Sequence, residues 1–363
     1  MIHLFTDIHV IVTVTIGGMA ILYVAVLWFM PRLTRPDLYF AVTVPPGFRD
    51  EPGGKLILGR YRTELILVSL LASLLFVAGI GWVGIRFVSA GQVILIVAGF
   101  IAFYRARNRV LPHAVQPTMI REAELHEYHW IIPGGWLAAS GPFVLMAVCA
   151  GYFWIHGSPQ NDLSAGVQPG ASNANGFIVY FLSTTGSLAG LSVVLYGIAH
   201  WVRPVFGGGP ERARELRFQR TVAAIVLGSE YYVTIQASWL ILVPRHLGLI
   251  SLGLFPLVIV FVLVTIILLV RLGQGGSRLV AAGKSATAST VPIGDRTLDR
   301  YWKLGVFYFN REDSAIFVEK RFGLGYSLNF ARPAAWMILA LLFIAPLVPI
   351  VAHLTHFFPK RGI

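Results

Sequence analysis

Glu230 is the residue whose type and position most call for chemistry. It lies near the middle of an apolar stretch from Thr221 to Val243, and no other acid sits as deep in any such stretch. A charged side chain at the centre of a bilayer costs about 2.5 to 3.5 kcal/mol on insertion scales, so an acid retained there is either used or neutralised. Ser229, Tyr231, Tyr232, Thr234 and Gln236 make the same segment unusually polar. Two readings stay open. In one, Glu230 is a proton-linked site or a ligand for a cationic substrate in an internal cavity, with Tyr231, Gln236, Ser183 and Thr184 as its polar company. In the other it is a protonated acid bonded to a neighbouring helix, and it fixes packing. Ser183, Thr184 and Thr185 border a small-residue face from Gly186 to Gly190, a pattern that also suits close helix contact.

Other reactive side chains form weaker patterns. His3, His9, His156, His246, His353 and His356 gather toward one side of the topology derived below. There they could bind a metal or sense external pH, and interfacial histidines with no task would show the same distribution. The run REAELHEYHW contains His126-Glu127-Tyr128-His129, which has two residues between its histidines where the zinc-protease motif needs three. A solvated or membrane-surface helix is the expectation there. Gly207-Gly208-Gly209-Pro210 lacks the Lys-Ser/Thr of a phosphate loop and reads as a turn. Cys149 is the only cysteine and sits inside an apolar block, so it forms no disulfide within the chain and is expected to be a buried thiol. No catalytic, metal or cofactor constellation is expected, and the chain reads as non-enzymatic.

The elements that must position these residues follow from bulk composition. The 363 residues are 56% hydrophobic and only 13% charged, with a mean hydropathy of +0.71. Soluble domains carry about 25% charged residues. The apolar residues come in blocks that approach or exceed the roughly 20 residues a helix needs to cross a bilayer. The fold class expected is an all-α polytopic integral membrane protein of about eight transmembrane helices. The spans are approximately Ile8 to Met30, Leu65 to Ile85, Phe87 to Tyr104, Gly134 to His156, Phe177 to Val202, Thr221 to Val243, Leu247 to Val270 and Ala334 to Phe357. The first has neither a basic flank nor a small-residue cleavage site, so an uncleaved span is expected.

Orientation follows from the cations. Lys and Arg number six in 31–64, four in 105–130, five in 203–220 and ten in 271–332, whereas the alternate loops and the tail hold only Arg86, Arg245, Lys360 and Arg361. Cations are retained on the cytoplasmic side, so both termini should face outward and the basic loops inward. The net charge of +12 therefore points to anionic lipid headgroups as a partner and not to nucleic acid. Residues 157–176, with Asp162 and no Lys or Arg, suit an outward loop.

The expected domains are a helical domain over 1–272 (spans one to seven), a flexible Gly/Ser/Ala-rich linker over 273–294, a small cytoplasmic β-module over 295–333, and the last helix with its tail over 334–363. The module reads as three short strands, Tyr301 to Phe309, Ala315 to Arg321 and Tyr326 to Phe330, separated by turns at Asn310 to Ser314 and Gly323-Leu324-Gly325. So small a meander is marginal alone in water and should dock on something.

Three segments of this module, Trp302-Lys303-x-Gly305-x-Phe307-Tyr308-x-Asn310, Phe317-Val318-x-Lys320-Arg321-x-Gly323-x-Gly325 and Leu328-Asn329-Phe330-x-Arg332-Pro333, resemble a short domain of unknown function at the C-terminus of some bacterial multi-pass membrane proteins. The loop from Pro31 to Arg62, with RLTRPDLYFAVTVPPGF and GRYR, is similar to the equivalent loop of SdpI-like proteins, named for immunity to a sporulation-delaying toxin. That family usually has a P-x-H-W/F-x-x-x-G-x-x-D pattern outside the membrane; here Trp154-Ile155-His156-Gly157 and Asp162 stand at a different spacing.

The resemblance implies a bacterial inner-membrane protein with an envelope-sensing, toxin-immunity-like or signalling role. Trp302, Lys303, Tyr308, Asn310, Lys320, Arg321, Asn329 and Arg332 would be its docking residues for a cytoplasmic partner or a second copy. The alternatives are a proton-linked transporter or channel built on Glu230, and a structural subunit of a larger membrane complex.

Overall fold

The computed structural model describes residues 2–35, 37–78, 85–117, 131–156, 174–202, 210–242, 257–273 and 297–357. The run REAELHEYHW, the glycines 207–209, His246, the outward loop over 157–173 and all but the first residue of the linker lie outside them. The described chain is mostly helical: α1 (Ile2–Leu33), α2 (Pro52–Ala78), α3 (Ile85–Val110), α4 (Gly135–His156), α5 (Ala174–His200), α6 (Pro210–Leu242), α7 (Leu257–Leu272) and α8 (Pro333–Phe357). Among the described residues, four stretches are long and apolar enough to cross a membrane, Ile16–Leu33, Ala90–His113, Gly135–His156 and Phe181–His200. Leu257–Leu272 and Pro333–Ile344 are shorter apolar helical stretches.

The helices turn apolar side chains both inward and outward. On α2, Ile57, Tyr61, Leu65 and Ala72 follow the helical repeat along a buried stripe, while Leu67, Leu70, Leu71 and Leu74 are exposed. A soluble helix would carry charge on that second face. Leucine on both faces is what a hydrocarbon surround permits.

The chain divides into two compact units. The first holds residues 1–127, 203–218 and 258–331, and so includes the module with α1, α2 and α3. Here α2 and α3 run antiparallel: Gly91 at the start of α3 leaves room for the Ala72 carbonyl near the end of α2, 3.2 Å from where a Cβ would stand. Arg109 at the other end of α3 reaches Glu64 at 2.7 Å. The Tyr61 hydroxyl donates to the Leu27 carbonyl of α1 at 3.0 Å, and the Arg62 guanidinium lies over the Trp28 ring at 4.5 Å. Gly99 of α3 lets the Leu27 side chain approach, at 2.8 Å from its missing Cβ. The second unit holds 128–202, 219–257 and 332–363, hence α4, α5, most of α6, and α8. Its helices meet around Met146, Leu188 and Ala237, and Gly190 of α5 packs against Leu341 and Leu342 of α8.

The small sheets depart from expectation. The module has four short strands in two antiparallel hairpins, not three strands: β3 (Trp302–Lys303) pairs with β4 (Phe307–Tyr308), and β5 (Phe317–Glu319) with β6 (Tyr326–Leu328). A parallel bridge from Tyr308 to Asn329 joins the hairpins. The stretch from Tyr301 to Phe309 cannot run straight, because Leu304 and Gly305 take φ of 53° and 80° and reverse the chain. A further hairpin occurs far upstream, β1 (Leu38–Tyr39) with β2 (Val42–Thr43), in the loop after α1. Its two turn residues, Phe40 and Ala41, adopt φ of 45° and 62° with ordinary side chains. Such residues hold a left-handed conformation only where their surroundings enforce it, and both are fully buried.

Candidate functional site

The first polar centre joins the upstream hairpin to the module. Phe40 stacks edge-on with Tyr39 and Tyr61 at 4.8 and 4.9 Å. Phe103 of α3 meets Phe322 of the module at 4.0 Å. Within this apolar nest Arg107 of α3 is buried and donates to the Ala41 carbonyl at 2.6 Å. Gly305 covers the contact so closely that a Cβ would stand 2.9 Å from the Arg107 Cδ and 3.2 Å from the Ala41 Cβ. Positive φ and close approach together account for a glycine there.

Asp299 closes the join. Its carboxylate accepts from the Thr43 hydroxyl at 2.9 Å and from the Thr43 amide at 3.4 Å, and it pairs with Arg321. Arg321 is wholly buried; it also donates to the Thr297 carbonyl and lies over the Trp302 ring at 5.6 Å. A buried guanidinium is tolerable because its donors meet acceptors in a fixed fork. Arg35 adds a looser contact to Glu319 at 3.8 Å. Arg49 binds the end of α1 to the upstream hairpin, donating to the Thr34 hydroxyl at 2.9 Å and to the carbonyls of Thr34, Arg35 and Leu38. Its guanidinium sits over the Tyr39 ring at 5.5 Å. Burial pushes the Tyr39 phenol up to about 12, against the lowering effect of Arg49. It therefore remains a neutral donor to the Gly54 carbonyl, at 3.0 Å.

Inside the module Asn329 plays the corresponding part. It is fully buried. Its amide nitrogen donates to the carbonyls of Asn310, Asp313 and Ala315 at 2.9, 3.2 and 3.2 Å. Its oxygen accepts from the amides of Asn310 and Ala331 at 3.1 and 3.2 Å. The Tyr308 hydroxyl donates to Asp313 at 2.9 Å, and the Trp302 indole donates to the Thr297 hydroxyl at 2.8 Å.

Of the eight expected docking residues, Trp302, Tyr308, Arg321 and Asn329 are thus buried and bonded within the join or the module. Asn310 is half-buried and donates to the Tyr308 hydroxyl at 3.2 Å. Arg332 is half-buried as well, and only Lys303 and Lys320 are exposed. Spacing within the module gave no sign that its Asp299 would meet Thr43, 256 residues away, or that its Gly305 would meet Arg107.

The second polar centre is Glu230. It is fully buried on α6. One carboxyl oxygen accepts from the Ser192 hydroxyl of α5 at 3.0 Å, and the other has no hydrogen-bond partner among the described residues. The Thr234 hydroxyl donates to the Glu230 carbonyl at 2.8 Å. Tyr231 turns to α4 and donates to the Ala138 carbonyl at 2.9 Å, passing against Gly141. The bonded α5 residue is therefore Ser192, not Ser183 or Thr184, which are buried about 12 to 13 Å further along the helix axis. Gln236 is half-buried and about 9 Å along α6 from Glu230. Nothing in the serine and threonine spacing of α5 singled out Ser192. Among the described residues no group of His, Cys, Asp and Glu could hold a metal ion. Of the histidines expected on the outer face, His156 lies among the residues whose side chains are described, and its ring stacks on Tyr152 at 4.5 Å.

A family of unknown function, DUF5808, matches residues 311–336. That segment runs from the turn after β4 through the β5–β6 hairpin and Asn329 into the first turn of α8. No curated protein and no solved structure matches the chain.

Asn329→Ala removes five hydrogen bonds at the centre of the module and should cost about 2 to 4 kcal/mol, whereas Lys320→Ala should stay within about 0.5 kcal/mol. Limited proteolysis of the full chain in detergent reads both variants, and equal cleavage within 297–331 would refute the structural role given to Asn329.

Proposed function

We propose that this chain is a non-enzymatic, SdpI-like protein of a bacterial inner membrane that couples the state of its membrane helices to a cytoplasmic surface, in envelope sensing, toxin immunity or signalling. In this reading all eight helices are spans, both termini face outward, and the basic loops and the module face the cytoplasm, as the distribution of cations favours. The observation that carries the proposal is the Asp299 join. It fixes the module to the β1–β2 hairpin, which Arg49 fixes to the end of α1 and Arg107 to α3. A rearrangement of α1 or α3 would then move the module as one piece, and a cytoplasmic protein bound to the module would register it.

A second reading, proton-linked transport or conduction, is favoured by Glu230. A buried carboxyl with one oxygen bonded to Ser192 and the other without a partner among the described residues is what a site for a proton or small cation requires.

Three outcomes are expected. Asp299→Ala removes an ionic partner of the buried Arg321 guanidinium and should loosen the module by about 3 kcal/mol, abolishing capture of a cytoplasmic protein by the full chain while membrane insertion is unchanged; capture at the wild-type level would sink the sensing proposal. With Cys149 replaced by alanine, a cysteine at Ser158 should react with an impermeant maleimide in intact cells and one at Thr287 only after permeabilisation, and the reverse pattern would invert the topology. Glu230→Gln should leave expression intact and lower pH-driven flux in proteoliposomes about tenfold if the second reading holds; undiminished flux would remove it.

A further inference from the structure

The β3–β4 hairpin has two unlike faces. Its register sets Trp302 opposite Tyr308 and Lys303 opposite Phe307, and alternation sends the first pair into the module core. The second pair points the other way. Phe307 is 45% exposed, Leu304 at the turn 44%, and Phe309, two residues on from Phe307, 39%. The Phe307 ring meets Phe330 edge-on at 5.4 Å, so the apolar strip extends onto the segment that leads toward α8. Three large apolar side chains exposed within six residues are a heavy load for a small module in water.

Charge around the strip is predominantly positive, three cations against the exposed Glu312. Lys303 stands within it, and Arg300 and Arg311 are exposed on either side in sequence. Asp299, the one acid from 297 to 311, is taken up by Arg321 and Thr43. Glu312 is exposed but accepts from the Tyr301 hydroxyl at 3.5 Å. Aromatic and aliphatic side chains interleaved with Lys and Arg are the composition of surfaces that rest in the headgroup region of a membrane.

We infer that the strip formed by Leu304, Phe307 and Phe309, with the exposed cations Arg300, Lys303 and Arg311 close to it in sequence, lies on the anionic bilayer surface. The inference rests on the proposed reading of α8 as a span. Only Arg332 separates the module's last residue, Ala331, from Pro333 at the start of α8, a reach of about 7 Å. A module tethered that closely to a span stays within side-chain reach of the headgroups. Phosphate oxygens there meet the three cations, and the ester region accepts the rings. A soluble protein partner would have to reach the same strip between the module and the bilayer.

The test uses the full chain in lipid nanodiscs, with Cys149 replaced by alanine and a single environment-sensitive fluorophore at Leu304→Cys or, as an independent position, Phe309→Cys. In discs containing one-third phosphatidylglycerol, quenching by aqueous acrylamide should fall at least threefold relative to pure phosphatidylcholine, and lipids brominated near the headgroup should quench the label. Adding Lys303→Glu and Arg311→Glu should abolish the difference. Three outcomes overturn the inference: equal acrylamide access in both lipids, shielding without quenching by brominated lipid, which would mean a second copy or another protein covers the strip, and a lipid difference that survives the charge reversals. A label at Ile344→Cys on α8 separates the premises. Quenched by deeply brominated chains, it keeps α8 as a span even if the strip fails; unquenched, it removes the span on which the inference rests.

Discussion

The Asp299 carboxylate is the interaction on which the first unit depends. Without it the Arg321 guanidinium would be a cation in the interior of a small module, bonded to the Thr297 carbonyl and facing an indole. Leaving one partner of a buried pair behind is far costlier than never having the pair. The same carboxylate takes both the hydroxyl and the amide of Thr43. That amide belongs to a hairpin whose turn residues, Phe40 and Ala41, hold a conformation their side chains disfavour. The aromatic nest around Phe40 and the Arg107 bond to the Ala41 carbonyl hold that turn in place. Each part of the join thus stabilises a feature that would be unfavourable alone, and that mutual dependence makes the module and the upstream loop one body.

The two units treat polar groups differently. In the first, a guanidinium off the helices finds several acceptors, because loops and hairpins present carbonyls in many directions; Arg49 reaches the carbonyls of three residues, Thr34, Arg35 and Leu38. In the second, helices keep their carbonyls for themselves, so hydroxyls fall back on their own helix, as Thr185 and Ser229 do by donating to the residue four before. Two contacts reach across instead, Tyr231 to the Ala138 carbonyl and Ser192 to the Glu230 carboxyl. A carboxyl has four acceptor positions and one hydroxyl occupies one of them. The imbalance is local to this site and sets it apart from the packing contacts around it.

How much of this could be read in the chain depends on the range of the interaction. The membrane character follows from block lengths and cation placement, which are local. Glu230 stands out because its cost is set by its immediate surroundings. The β-module was legible as β-structure from its aromatic and β-branched residues, but the reversal at Leu304-Gly305 was hidden. Its cause is the approach of Arg107 and Ala41, both far upstream in the sequence. The β1–β2 hairpin was hidden for a related reason: its turn contains no glycine, asparagine or aspartate, and its geometry is imposed from outside. Ser192 could not be told from Ser183 because which face of α5 meets α6 is a tertiary matter.

The buried module residues bear on where recognition can occur. Arg321 and Asn329 lie within the segment that the family matches and Trp302 and Tyr308 before it, and all four are residues the fold consumes. A motif of that kind specifies a shape, and the shape can be shared by proteins with different partners. What distinguishes this chain's module must therefore lie in positions the motif leaves to solvent. On the β3–β4 hairpin the exposed positions that the motif leaves open are Leu304 and Phe309, which stand with the motif residues Lys303 and Phe307 on the side turned from the core. Buried asparagine and arginine hold that face in register, and so they act on recognition through geometry alone. The same logic applies within the helices, where Tyr231 is spent on the Ala138 carbonyl, while one oxygen of Glu230 has no hydrogen-bond partner among the described residues.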